Sequence, residues 1–171
     1  MRGREVVITG MGVVSPIANE LNLFWEGLKA GQSGIARVES MEDIDQYPVQ
    51  IAGEVRDLEV EKYVEAKEAR KMDPYTVYGM AAASMAVEDA KLHQGTFDPE
   101  RAGVLVSSGI GGMQLLQTQH KRALEGGPKR VSPQLIPQMI TNILSGYISI
   151  KYGFKGPNFC ITSACASGTH S

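Results

Sequence analysis

Two thiols lie close together in the stretch GPNFCITSACASGTHS, residues 156–171, but their surroundings differ. Cys160 alternates with Phe159 and Ile161 in a β-branched and aromatic run, so it reads as a small buried hydrophobe within a strand. Cys165 follows that run and is flanked by Ala164, Ala166, Ser167 and Gly168. Such small side chains allow a sharp strand-to-helix turn with the thiol at its apex, the arrangement that presents a nucleophilic serine in other α/β enzymes. A thiol at a helix N-terminus faces the positive end of the dipole, which favours thiolate, and adjoining backbone N–H groups could hold a developing oxyanion. Spacing alone leaves an inert buried thiol as the alternative.

No other constellation competes with this one. His93, His120 and His170 are scattered, and the two cysteines are too far apart for a C-x-x-C metal pair, so no metal site is expected. His170 follows Cys165 by five positions, and five helical residues turn about 500°, which points the ring away from the thiol. The turn SSGIGGMQ lies where a dinucleotide fingerprint would sit, but Gln114 occupies the third glycine position and no acidic residue follows at the required distance. A tight turn passing close to other backbone is the simpler reading.

The elements that must position Cys165 follow from periodicity. EVVITGMGVV (5–14) reads as a strand buried on both faces, and SPIANELNLFWEGLKAG as a helix closed by Gly31. IAGEV (51–55) is a short strand candidate. One long helix is expected from about Lys67 to Lys91, with Val77, Met80, Ala81, Ser84 and Met85 on its packing face and Ala82, Ala83 and Ala86 permitting close approach. AGVLVSSG (102–109) reads as a second buried strand, MQLLQTQHKRALEGG as a helix with a glycine stop, and 132–153 as an irregular start that becomes helical. GPNFCITSA supplies a further strand. Strands alternating with helices predict one α/β domain with a largely parallel sheet.

Composition restricts the partners. Seventeen basic against nineteen acidic residues give a net charge of −2, which argues against a nucleic-acid binder acting through overall charge. Two cysteines among 171 residues fit a reducing compartment, and no signal-peptide pattern or membrane-spanning apolar run is present, so a soluble, cytoplasmic protein is expected.

The segment ITSACASGTHS resembles the active-site cysteine segment of the β-ketoacyl-acyl-carrier-protein synthases, condensing enzymes of the thiolase fold. VVITGMGVVSP, LKAGQSGI, KEARKMDPYTVYGMAAA, SSGIGGM, GGPKRVSPQLIPQMITN and KYGFKGPNFCITSACASG resemble successive blocks of the same family, in order and over nearly the whole chain. The likeness is greatest to the elongating, type II bacterial members. It implies a thiolase-like α/β fold, a mixed sheet with covering helices, of which residues 1–171 form only part of the first of two similar halves. It also implies that Cys165 takes an acyl group from a carrier-protein thioester, with its own backbone N–H as half of an oxyanion hole. A decarboxylated malonyl thioester, delivered by acyl carrier protein, would then attack the acyl-cysteine.

Further roles follow from the same resemblance. Lys67, Arg70 and Lys71 match basic residues that dock acyl carrier protein; on helical grounds their charge is odd at the start of a long helix. Gly109 and Ile110 match the segment lining the acyl pocket, and Leu135 and Ile136 a segment bordering it across a dimer interface, with plain core packing the alternative for each. Position 135 holds leucine where the bacterial type II members carry an aromatic, so the pocket's length preference is not inherited from the resemblance. No cofactor is implied beyond the phosphopantetheine arm that carries the substrates, and the FCITSA strand resembles one that pairs across a homodimer axis. The family mechanism uses two histidines in blocks absent from these residues, so the 171-residue chain alone is expected to lack condensing activity and to expose apolar surface. A polyketide ketosynthase of the same fold, or a non-catalytic carrier-binding fragment, are the rival readings.

Overall fold

A computed structural model describes residues 5–93 and 95–171. In chain order the elements are α1 (Leu21–Lys29), β1 (Ala36–Arg37), β2 (Ile51–Ala52), α2 (Ala66–Ala69), α3 (Pro74–Asp89), β3 (Val104–Ser107), α4 (Met113–Gly126), α5 (Leu135–Met139), α6 (Ile143–Tyr152), β4 (Asn158–Ile161) and α7 (Ser167–His170). β1 and β2 form a small antiparallel ladder with Arg37 opposite Ile51. β3 and β4 pair in parallel, from Val104 opposite Asn158 to Ser107 opposite Ile161.

The core lies where α3 and α6 cover the parallel pair. Met80 of α3, Leu144 and Ile148 of α6, Val104 of β3 and Val64 are buried together. Val77 and Ala81 complete the apolar face read from the sequence, and both are buried. At the far end of α6, Lys151 Nζ donates to Tyr63 O at 2.6 Å and to Ser84 Oγ at 2.8 Å, and Tyr152 donates its hydroxyl to the same Oγ. Ser84 passes its own proton to Met80 O, so all four polar groups are satisfied at the α3–α6 junction.

Three expectations are corrected. Residues 5–14 belong to no strand or helix, with Val6 90 % and Ile8 82 % exposed. A β-branched run becomes a strand only when another edge accepts its backbone groups, and none of the described strands does so. The segment lies instead along the small-residue face of α3. A Cβ on Gly10 would fall 2.3 Å from Ala86 O and one on Gly12 2.0 Å from Ala82 O, while Met11 N–H donates to Asp89 Oδ2. Second, the parallel pair is covered on one face only, because Leu105 and Phe159, facing away from the α3–α6 layer, are exposed. The apolar surface expected from an uncovered strand run is therefore present.

Third, the single helix expected over 67–91 is two. Asp73 is extended (φ −72°, ψ 150°) and Pro74 stands at the first position of α3. The residue before a proline is driven out of the helical region, and the ring has no N–H to continue α2, so the chain breaks there. Asp73 is nevertheless buried. Its Oδ1 accepts from Tyr75 N–H at 3.3 Å, capping α3, and its Oδ2 accepts from Leu115 N–H at 2.9 Å in the first turn of α4. Gly112, the residue before α4, has no side chain to cap with, so one carboxylate serves two helix N-termini. Beside it, the Tyr75 hydroxyl donates to Ile140 O at 2.6 Å, joining α3 to the α5–α6 connection. Among the described residues no helix is long and apolar enough to cross a membrane.

Two measurements check this joint. Asp73→Ala removes both caps and should lower unfolding free energy by about 2 kcal/mol, read from urea midpoints, while Asp73→Asn, still a competent cap, should cost less; a loss within about 0.5 kcal/mol for the alanine variant would show the double cap to be idle. Burial holds the Tyr75 phenol above its ordinary value. The folded state thus keeps this proton longer than the unfolded chain, so the stabilisation is whole below about pH 10 and is lost as pH rises through the folded pKa. Tyr75→Phe should flatten the alkaline fall of the urea midpoint, and an unchanged slope would refute the assignment.

Candidate active site

Because β3 and β4 run parallel with Ser107 opposite Ile161, the segments that follow them leave from the same end of the pair. In open α/β sheets that carboxyl end is where sites assemble. Residues 108–112 follow β3 and residues 162–166 follow β4.

The first segment is braced at its base and free at its tip. Gly111 takes φ +85° and donates its N–H to Ser108 Oγ at 3.0 Å. Gly112 N–H donates to Met139 O at 2.9 Å, and a Cβ there would lie 2.9 Å from Met139 Cα and 3.3 Å from Asp73 Oδ2. Only glycine lets the turn come this close to both. At the tip, Gly109 has nothing within 4 Å of where a Cβ would be, and Ile110 is 70 % exposed. On α5, which ends against Gly112, Leu135 is half-buried and Ile136 exposed. The structure therefore joins the 109–110 turn to the element carrying 135 and 136. An apolar groove of about 490 Å³ on the outer side of α4, lined by Met113, Gln114, Leu116, Gln117 and His120, adjoins this turn.

The second segment is the elbow. After Ile161 the chain passes Ser163 (φ −139°, ψ 43°) and Ala164, which takes φ +50°, a left-handed conformation that costs an alanine about 1–2 kcal/mol. A 3₁₀ turn over Ala164–Ala166 leads into α7. Cys165 stands in that turn, exposed, and neither its sulfur nor its backbone N–H has a hydrogen-bond partner among the described residues. This excludes a buried Cys165. The dipole behind it is that of a single turn, since α7 has four residues.

Cys160 is half-buried where full burial was expected. Its thiol reaches Thr141 O at 3.3 Å, which ties β4 to the chain between α5 and α6. It lies opposite Val106 on the face turned toward α6, alternating with the exposed Phe159.

Polar groups that sequence reasoning passed over surround the elbow. The buried Ser167 accepts from Ser163 N–H at 2.8 Å and donates to Ala164 O at 2.7 Å. Ser107, at the end of β3, donates to Ser167 O at 2.9 Å, and its oxygen also meets Ser171 Oγ. His170 Nδ1 shares a 2.8 Å hydrogen bond with Ser163 Oγ, so its ring is engaged away from the thiol. No spacing rule signals these contacts. For Asp73 a signal did exist, the Asp-Pro pair ahead of an apolar-periodic run.

The basic segment is relocated by the break at Asp73. Lys67 lies in α2, Arg70 caps its C-terminus and Lys71 follows, all three exposed. Cations near a helix C-terminus meet the favourable end of the dipole, which removes the oddity noted from the sequence. Lys71 Nζ is paired with Glu68 Oε1 at 2.7 Å, whereas Lys67 and Arg70 form no ion pair among the described residues. The segment runs directly into Asp73, and through it to the start of α4 beside the 108–112 turn.

The chain is 42 % identical over all 171 of its residues to a 3-oxoacyl-[acyl-carrier-protein] synthase 2 of Vibrio cholerae, and spans 41 % of that relative. It is likewise 42 % identical over 170 residues, 99 % of the chain, to the Staphylococcus aureus protein of the same name, again spanning 41 % of it. Among solved structures, the ishigamide ketosynthase/chain length factor superposes with a TM-score of 0.82 at 27 % identity, over 96 % of this chain and 41 % of that one. The fold is thiolase-like, as expected. Residues 3–171 match the family described as Beta-ketoacyl synthase, N-terminal domain, and the chain belongs to that family.

Proposed function

We propose that Cys165 is the acyl acceptor of a β-ketoacyl-acyl-carrier-protein synthase that lengthens acyl chains in fatty acid synthesis. The observation that carries this reading is an exposed thiol on a left-handed elbow at the carboxyl end of a parallel strand pair, in a chain 42 % identical to two synthases of that name. In the first half-reaction the Cys165 thiolate attacks the carbonyl carbon of an acyl thioester. The new carbon–sulfur bond forms as the carbonyl–sulfur bond to the carrier breaks, and the departing carrier sulfur takes up the proton that the Cys165 thiol gave up on ionising, leaving acyl-S-Cys165 and free carrier thiol. The Cys165 N–H, unpartnered among the described residues, is the donor for the oxyanion of the tetrahedral intermediate.

The second half-reaction, decarboxylation of a malonyl thioester and attack of its carbanion on acyl-S-Cys165, draws on two histidines. Of this chain's three, His170 is occupied with Ser163, and neither His93 nor His120 stands in a block of the kind the family uses. We therefore assign acyl acceptance to residues 1–171 and condensation to the whole enzyme. Lys67 and Arg70, exposed and without an acidic partner among the described residues, are the docking charges for acyl carrier protein, with Lys71 beside them. Gly109, Ile110, Leu135 and Ile136 border the acyl chain. The enzyme needs no metal or organic cofactor of its own and works in the cytoplasm. It acts as a homodimer, a reading supported by β4 having one strand neighbour among the described residues and an exposed Phe159. Polyketide synthesis is the weaker alternative, since the ketosynthase/chain length factor shares 27 % identity against 42 % for the fatty acid enzymes.

Incubation with acyl-carrier thioester should add one acyl mass to the tryptic peptide containing Cys165, and Cys165→Ala should abolish it while Cys160→Ala does not. Acyl groups on Cys160 instead would reject the assignment. Charge reversal at Lys67 and Arg70 together should slow acylation from the carrier about tenfold at low salt, with the difference shrinking as salt rises. Transfer from a small acyl thioester lacking the carrier should be unaffected; equal losses with both donors would remove the docking role.

A further inference from the structure

We infer that Ser167 is a positioning residue for the Cys165 thiol, an inference that rests on Cys165 being the acyl acceptor. The sulfur makes no hydrogen bond of its own among the described residues, so its direction is set by the backbone on either side. That backbone is strained, because Ala164 takes φ +50° where alanine prefers negative values. Ser167 closes a bracket across the strained residue. One oxygen accepts the Ser163 N–H at 2.8 Å and donates to Ala164 O at 2.7 Å, gripping the 162–163 and 164–165 peptide groups, one on each side of the Ser163–Ala164 pair.

The side chain is 5 % exposed, so water cannot readily replace these bonds. The bracket is also anchored, since Ser107 at the end of β3 donates to Ser167 O at 2.9 Å and fixes the elbow to the strand that carries the 108–112 turn. Cys165 lies between the two gripped peptides and the anchor. Without the hydroxyl, Ser163 N–H loses its acceptor, and Ala164 is free to relax toward the right-handed region, turning the thiol from the line of an incoming thioester.

The test is made on the whole enzyme, with iodoacetamide alkylation of Cys165 and Cys160 followed by mass spectrometry, and with steady-state acyl transfer. Ser167→Ala should slow alkylation of Cys165, and lower kcat for acyl transfer, by about tenfold with KM for the thioester unchanged, as expected for a displaced nucleophile. Labelling of Cys160 should not change. Ser167→Thr, which keeps the hydroxyl, should restore the rate. Ala164→Gly in the Ser167→Ala background should recover part of it, because glycine holds positive φ without a brace.

An unchanged Cys165 rate in Ser167→Ala, a parallel change at Cys160, or failure of both rescues would each overturn the inference. Normal acylation in Ser167→Ala would reject the positioning role and leave the acyl acceptor standing. Ser167-dependent alkylation with no acylation by any thioester would reject the acyl acceptor and leave the positioning role.

Discussion

The parallel pairing of β3 with β4 is the constraint on which the site depends. Each strand has four residues, and their register places Ser107 beside Ile161, so two turns far apart in sequence emerge together. A slip of β3 by one residue would send Leu105 to the α3–α6 face and turn Val104 outward, removing a buried residue from the core. The register is thus held by the burial of Val104 among Met80, Leu144 and Ile148. Hydrophobic packing on one face decides where the thiol on the adjoining elbow comes to rest.

Within that frame, buried oxygens do the local fixing. Asp73 holds the chain extended ahead of Pro74 and starts both α3 and α4 through its two carboxylate oxygens. Ser167 performs the same kind of service over a shorter distance, binding an N–H and a carbonyl around a left-handed alanine. Each is buried, and each spends its hydrogen-bonding capacity on backbone groups that the local conformation leaves without partners. Asp73 fixes the start of α4 that follows the 108–112 turn, and Ser167 fixes the elbow that carries the thiol to the end of β3.

The outer face of the sheet tells a different story. Phe159 and Leu105 present apolar surface to solvent there, and Val6, Val7 and Ile8 do so elsewhere, in a chain that spans 41 % of its curated relatives. The sequence marks these segments as hydrophobic, but hydrophobicity does not say what covers them. For residues 5–14 the same composition that suits a strand is used to lay the segment on α3, where Gly10 and Gly12 allow the contact.

Much of the molecule was legible without coordinates. The alternation of apolar runs gave the strands at 104–107 and 158–161, the period of 77–81 gave the buried face of α3, and the small residues around Cys165 gave the elbow. These are consequences of local chemistry, since a residue's own side chain and its neighbours restrict its dihedrals and its affinity for water. The tertiary structure alone decided that residues 5–14 pair with nothing described, that Asp73 caps a helix beginning forty positions away, and that Ser107 and Ser163 are drawn to Ser167 and His170. Such bonds join groups remote along the chain, and any of several hydroxyls or amides could have made them. Which ones do is settled when the apolar faces pack and bring particular backbone groups within reach.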